Sequence, residues 1–488
     1  MQGSLAGLLH EAASVYRLVE FIQRFCREQE SSRSYVPATR LFFTQVISLA
    51  ESTKRHLVKT AAEANKRSEG KGSRWDESWL TNERASLHTI KGAWNVIHRY
   101  LKPAADAHAL QVPVPLVKLA ECQLESVEGM QGASIAVLLT PELNYFQTSH
   151  TRLKKTIDTL RDAANAPPET PRKGPIGFVE LPFSQGPSLF TNIALYHELG
   201  HFMLEERSAS GPLSESAARS LEEVYREEFA ALSPDKKAGA EGWLRKWAEE
   251  IFCDLFAIRL VGPAFSFASI EMFSLIGLLA GDYKIKFRPS HPAPACRFQQ
   301  HLKLLREDGW WDVIDTLQSD HKTQIDQLSA IPESDYRIYL DKTEAPDQRA
   351  LQAFGKMLPA VHELAKRLTA QPTDARECFA AERENIEQCL SKGIVPSRLF
   401  AGRPVSPAFP IAVMNAAFCF YLTELTGLIG SLAEQDPGNL EHRSHWTKRL
   451  EMWTVKAIED YFLLDGVQKH GSGSTRGAAS AAHKGPWG

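Results

Sequence analysis

The most constraining feature of this 488-residue chain is the run His197-Glu198-Leu199-Gly200-His201, set in apolar surroundings. Ile193, Leu195, Tyr196, Leu199, Phe202 and Met203 cover most sides of the segment, so Ser188–Glu206 reads as a buried helix. Ser188, after Gly186-Pro187, is placed to cap its start. Residues four apart share a helix face, and His197 and His201 therefore present two imidazoles to one point. A buried helix must give two histidines and a glutamate partners, because unpaired polar groups in an apolar interior are costly. One Zn²⁺ between the imidazoles would satisfy them together. Glu198, rotated about 100° from His197 around the helix, would then hold a water beside the metal without ligating it. The alternative is a pair of core histidines.

A zinc that does chemistry needs a third protein ligand and one open position. Trp247–Ala257 offers Glu250 and Asp254, four apart on one face of an otherwise apolar helical segment; the alternative is a solvated helix face. Glu249 points about 100° away and reads as a surface or ion-pairing residue. Together the His-Glu-x-x-His and Glu-x-x-x-Asp motifs resemble those of the gluzincin metallopeptidases. The resemblance implies a zincin-like core, Glu250 as third zinc ligand, and Asp254 hydrogen-bonded to the outer nitrogen of His197. The continuation Glu250-x-x-Cys253-Asp254-x-Phe256-Ala257, running on to Pro263, is also similar to the second metal helix of the ImmA/IrrE-like regulatory metallopeptidases. That group has a shorter gap between the two motifs, so a charged, helical insertion over Glu205–Gly242 is expected. The resemblance implies a peptide or protein substrate, with a regulatory protein as a further partner.

Two neighbouring segments bear on the same site. Ile176–Phe183 reads as a strand. In zincins the strand at this place is a sheet edge that pairs with extended substrate, the alternative here being an ordinary core strand. Asp282–Arg297 is a Pro-rich loop. Gluzincins set a later His or Tyr over the substrate carbonyl, which makes His291 the first candidate for stabilising an oxyanion and Tyr283 the second. Arg297 either anchors substrate or forms an ion pair. The mechanism this implies is hydrolysis of a peptide bond by a zinc-activated water, with Glu198 as general base. A helical scaffold or binding protein with a structural or inactive zinc site is the competing reading. A structural site has no use for a base beside its ligands, so Glu198 favours catalysis. Gly-x-Gly-x-x-Gly, Walker-type and Gly-x-Ser-x-Gly motifs are absent, which leaves nucleotide binding and serine hydrolysis without a handle.

The rest of the chain sets the frame. Its length calls for two or three domains. Stripes at three- and four-residue steps (Leu8, Val15, Leu18, Val19, Ile22, Phe25; then Leu80, Leu87, Ile90, Trp94, Ile97, Leu101) predict helices through the first hundred residues. Val112–Leu119, Ser134–Thr140 and Ile176–Phe183 predict strands. Helices resume from Ser188, with breaks near 262, 287–294 and 403–410. The expected fold is thus α+β and mostly helical: an N-terminal helical region (1–110), the zincin-like core with a small mixed sheet (111–300), a C-terminal helical region (301–470) and a Gly/Ser/Ala-rich disordered tail (471–488). Lys and Arg total 56 against 59 Asp and Glu, so a net charge of −3 indicates no nucleic-acid partner. Seven scattered cysteines without a Cys-x-x-Cys pair suit a reducing compartment. No apolar run reaches the roughly 20 residues of a membrane span, and the first residues lack a signal-peptide pattern, so a cytoplasmic protein is expected.

Overall fold

The computed structural model describes residues 5–471 apart from 32–34, 70–76, 108–111, 128, 141–145, 148–149, 167–173, 183–187, 211–233, 312–319, 339–347, 370–372, 398–408, 426–428 and 430–439. Most of the Glu205–Gly242 insertion and nearly all of the 471–488 tail lie outside the described residues. The chain is mostly helical. Its helices are α1 (Leu5–Glu30), α2 (Pro37–Glu69), α3 (Glu77–Asp106), α4 (Val114–Leu124), α5 (His150–Ala163), α6 (Leu189–Asn192), α7 (Leu195–Ser210) and α8 (Pro234–Val261). There follow α9 (Pro263–Leu275), α10 (Pro294–Glu307), α11 (Asp320–Ser329), α12 (Gln348–Leu368), α13 (Thr373–Ser391), α14 (Pro410–Thr423) and α15 (Leu440–Gly471). The strands are β1 (Ser134–Thr140), β2 (Phe146–Gln147), β3 (Ile176–Pro182), β4 (Lys286–Phe287) and β5 (Arg337–Ile338). None of the described helices is long and apolar enough to cross a membrane.

Two compact units emerge: residues 1–112 with 132–186, and residues 113–131 with 187–488. The stretch 111–300, expected as one core, is divided between them.

In the first unit the predicted helix stripes are realised. Leu8, Val15, Val19 and Ile22 of α1, Leu87, Ile90, Trp94 and Ile97 of α3, and Phe42, Phe43 and Val46 of α2 join Ala136, Leu138 and Phe178 of the sheet in one apolar core. Phe42 meets Phe178 edge-on at 5.3 Å. The sheet order is β1-β3-β2. β1 runs parallel to β3 from Ser134↔Ile176 to Thr140↔Pro182, and α5 lies in the crossover that parallel pairing requires. β2 pairs antiparallel with β3 at Phe146↔Glu180 and Gln147↔Val179. On the outer side of β1, the Val137 N–H donates to Thr39 Oγ1 at 3.1 Å, so the edge is blunted by a helix side chain. β3 is therefore the central strand, with partners on both sides, and not the free edge that substrate pairing would need. This corrects the edge-strand expectation.

A second correction concerns Val112–Leu119, which is the start of α4 and not a strand. Pro113 and Pro115 fall at the cap and first turn, where proline costs a helix nothing, and the apolar residues Leu116, Val117, Leu119, Ala120 and Leu124 are buried. A buried helix and a buried strand look alike over so short an apolar run.

α8 is the spine of the second unit, buried on every side from Glu250 to Val261. Its last turn is tied down by Arg259, whose Nη1 donates to both Asp308 oxygens at 2.9 Å while Nε and Nη2 reach the Thr369 hydroxyl and carbonyl. Gly262, at φ 74° and ψ −154°, turns α8 into α9 in a region open only to glycine. Asn415 of the buried α14 splices that turn. Its amide donates to Val261 O at 2.8 Å and its Oδ1 accepts from the Ala264 N–H at 2.9 Å, so the interrupted backbone loses no partner. These bonds hold the C-terminal half of α8, which carries the acidic site residues.

Candidate metal centre

All the candidate site residues belong to the second unit. The segment predicted as one helix from Ser188 is two: α6, then α7, separated by a turn at Ile193–Ala194. Ser188 caps α6, accepting from the Thr191 N–H at 3.4 Å. The cap is shared with Glu451 of α15, which receives the Ser188 hydroxyl at 2.6 Å and the Phe190 N–H at 3.2 Å. That carboxylate, from a helix far along the chain, had no signal in the local sequence.

α7 meets α8 through His197, Gly200 and His201, which share one helix face. Gly200 makes the approach possible. A Cβ added there would stand 2.8 Å from Cys253 Cα and 2.9 Å from Cys253 Sγ, closer than real Cβ atoms come. Gly200→Ala must therefore push α8 away, and overpacking of this kind costs about 1–3 kcal/mol. Chemical denaturation should report that loss; unchanged stability would mean that the two helices have slack at this point.

The close approach brings the acids onto the histidines. His197 Nε2 lies 3.3 Å from Glu250 Oε2, and His201 Nε2 lies 3.3 Å from Glu250 Oε1. His197 Nδ1 is 2.9 Å from Asp254 Oδ1. The two imidazole planes stand 80° apart with centroids 5.0 Å from each other. The 3.3 Å spacings are long for N–H···O hydrogen bonds. They match instead the roughly 3.4 Å that separates two donors sharing a tetrahedral zinc with bonds of about 2.1 Å. Two imidazoles and one carboxylate, with His197 Nδ1 already engaged by Asp254, are donors of the kind that a divalent metal takes. A fourth potential donor stands beside them: Cys253 Sγ and one ring nitrogen from each of His197 and His201 all lie within 4.8 Å of one another, a candidate metal-binding group.

Behind the acids is a buried basic layer on α10. Arg297 donates from Nε to Asp254 Oδ2 and from Nη2 to Asp254 Oδ1, both at 2.6 Å, and its Nη1 is 3.3 Å from Glu250 Oε2. Arg297 is thus the ion-pair partner of the two acids, one of its two expected roles. His301, one turn further along α10, brings Nε2 to 3.0 Å from Asp254 Oδ2, out of line for a hydrogen bond. Nothing in the local sequence marks it as a site residue except that it shares a helix face with Arg297 at i and i+4.

Exposure grades across the cluster: the side chain of Asp254 is fully buried, that of His197 is 12% exposed, that of His201 22% and that of His291 51%. Exposure thus rises from the Asp254–Arg297 end of the cluster to His291. Electrostatics follows the same axis. Burial works against charge on Asp254 and Glu250, yet both stay well below the usual carboxylate range. Arg297 and His301 hold Asp254 down, and the neighbouring His197, His201 and Arg297 hold Glu250 down. Burial likewise disfavours charge on His197, but Asp254 and Glu250 overcome it and lift the ring to about 10. Burial raises the Cys253 thiol, and the surrounding carboxylates raise it further.

The remaining expectations divide. His291 joins the cluster, with Nε2 3.7 Å from Glu250 Oε1 and Nδ1 2.7 Å from Ser290 Oγ. Burial and the neighbouring Arg297 and histidines lower its pKa, although Glu250 pulls the other way. Tyr283 is half-exposed, with Lys286 Nζ at 5.4 Å and Arg288 at 5.6 Å from its ring centre; among the described contacts none joins it to the acids and imidazoles. Glu198 is nearly buried, at 6% exposure, in the first turn of α7. Glu249, expected at the surface, is half-buried, and burial raises its carboxyl against the pull of His201.

The chain matches no family model, no curated protein and no solved structure.

Proposed function

We propose that this protein is a zinc-dependent peptidase with a gluzincin-like, zincin-type site, in which His197, His201 and Glu250 hold the metal. The observation that carries the reading is the pair of 3.3 Å spacings from the two Nε2 atoms to the two oxygens of one carboxylate. Bound there, zinc supplies a Lewis acid for a carbonyl oxygen and makes a water acidic enough to be used near neutral pH. Asp254, fixed by Arg297, accepts from His197 Nδ1–H and so turns the Nε2 lone pair towards the metal. Glu198, beside the ligand face of α7, takes the proton of the attacking water and returns it to the leaving amine. His291, at the exposed end of the cluster, donates to the carbonyl oxygen as charge develops on it. The substrate is a peptide or protein entering from the His291 side. A regulatory protein partner follows from the resemblance, and a cytoplasmic setting from the cysteines, all seven of which are free.

A scaffold with a structural zinc would share the ligands but give Glu198 no task. The test is to measure zinc content and peptide hydrolysis on the same batches of wild type and a His197→Ala/His201→Ala variant. Wild type should hold about one zinc per chain and hydrolyse peptides. The variant should do neither. Wild type that takes up no zinc, or a double variant that hydrolyses as fast, would overturn the proposal.

A further inference from the structure

Cys253 is on the same helix as Glu250 and Asp254 and has no part in the mechanism above. It is fully buried, in the notch that Gly200 leaves between the two histidines. Its Sγ and one ring nitrogen from each of His197 and His201 lie within 4.8 Å of one another. Among the described residues this is the one group of its kind, and all seven cysteines are described, so no other thiol competes for the position. Donors around a tetrahedral zinc stand roughly 3.4–3.8 Å apart, a separation that the 4.8 Å bound admits. Glu250, meanwhile, does not face the histidines alone: Arg297 Nη1 and His291 Nε2 stand at 3.3 and 3.7 Å from its oxygens and draw on its charge.

We infer that Cys253 is a sulfur ligand to the metal held by His197 and His201, so that the resting site is closed and hydrolysis requires the thiolate to leave. The inference rests on the metal-centre reading and concerns the regulation of that site. Two imidazoles, the Glu250 carboxylate and one thiolate make four protein donors, which is the closed set of a structural zinc. A working peptidase keeps one position open, and the thiolate is the donor with no place in the catalytic set. Binding replaces the S–H bond by a sulfur–metal bond, and the thiol proton goes to solvent. Nothing is oxidised or reduced.

The experiment uses Co²⁺ in place of zinc in the full chain, because thiolate-bound Co²⁺ absorbs in the near ultraviolet by charge transfer from sulfur, whereas nitrogen and oxygen ligands give no such band. Wild type should bind Co²⁺ and show the band. Cys253→Ser should bind Co²⁺ and lose it, while Glu250→Ala should keep it. Co²⁺ bound by wild type without the band would overturn the inference and leave the peptidase reading standing. Failure of wild type to bind Co²⁺ or zinc at all would overturn the metal reading, and this inference with it. If Cys253→Ser does not fold, wild type loaded with ¹¹³Cd²⁺ decides the matter. A cadmium resonance shifted far downfield supports the sulfur ligand; a nitrogen- and oxygen-type shift overturns it.

Discussion

Glu198→Gln should lower peptide hydrolysis by roughly 10²–10⁴, the range for loss of a general base, while zinc content and melting temperature stay near wild type. The amide keeps the size of the side chain but cannot take a proton from water at neutral pH. The prediction separates chemistry from construction, since Glu198 lies on the metal helix beside the ligand face. It is nearly buried, and the first turn of α7 already favours an acidic residue there. The measurement is a paired assay of bound zinc and of new peptide termini in a broad peptide library. Glu198→Gln protein that cleaves as fast as wild type would end the peptidase mechanism. Loss of both zinc and activity would make Glu198 part of the metal's support.

Arg297→Met should destabilise the metal-free protein by about 3–5 kcal/mol, the cost of leaving a buried charge without its partner. Asp254 is completely buried and receives two 2.6 Å bonds from the guanidinium. The pH dependence gives the effect a signature. Burial alone would raise the Asp254 pKa, but in wild type Arg297 and His301 hold it well below the usual range. A depressed folded-state pKa contributes stability above the unfolded value of about 3.9, and that contribution is lost as pH falls through the folded pKa. Without Arg297 the largest opposing charge is gone, and the Asp254 pKa should rise from its depressed value. The variant's deficit should then be largest near neutral pH and narrow as pH is lowered towards about 4. Urea unfolding of both proteins across that window, with metal removed by chelator, measures it. A deficit that does not change with pH would mean that Arg297 acts by packing rather than by charge.

How much of this was legible beforehand varies with the range of the forces involved. The two helices of the candidate site were recognisable because helix geometry alone puts His197 over His201 and Glu250 over Asp254. The strands at 134–140 and 176–182, and the stripes of α1 and α3, followed from short-range periodicity. Val112–Leu119 lacks a clear period because a short, mostly buried run has little solvent face to set one. The two-residue strands β4 and β5 pair across some fifty residues and leave no local trace. Arg297 was noticed without its partners, and His301 was not noticed at all. What makes them site residues is the packing of α10 against α8.

Within the site the division is sharp. By itself the sequence determined the candidate donor types, their placement on two helix faces and the position of Glu198 beside the two histidines, because these depend only on 3.6 residues per turn. Tertiary structure alone decided that the faces meet: Gly200 admits Cys253, Arg259 and Asn415 hold the end of α8, and Glu451 caps α6 from another helix. It also decided that β3 is central rather than an edge, and that His291 and not Tyr283 reaches Glu250. A helix records in its periodicity that a face is buried, whereas the identity of what buries it is set by contacts between residues far apart in the chain.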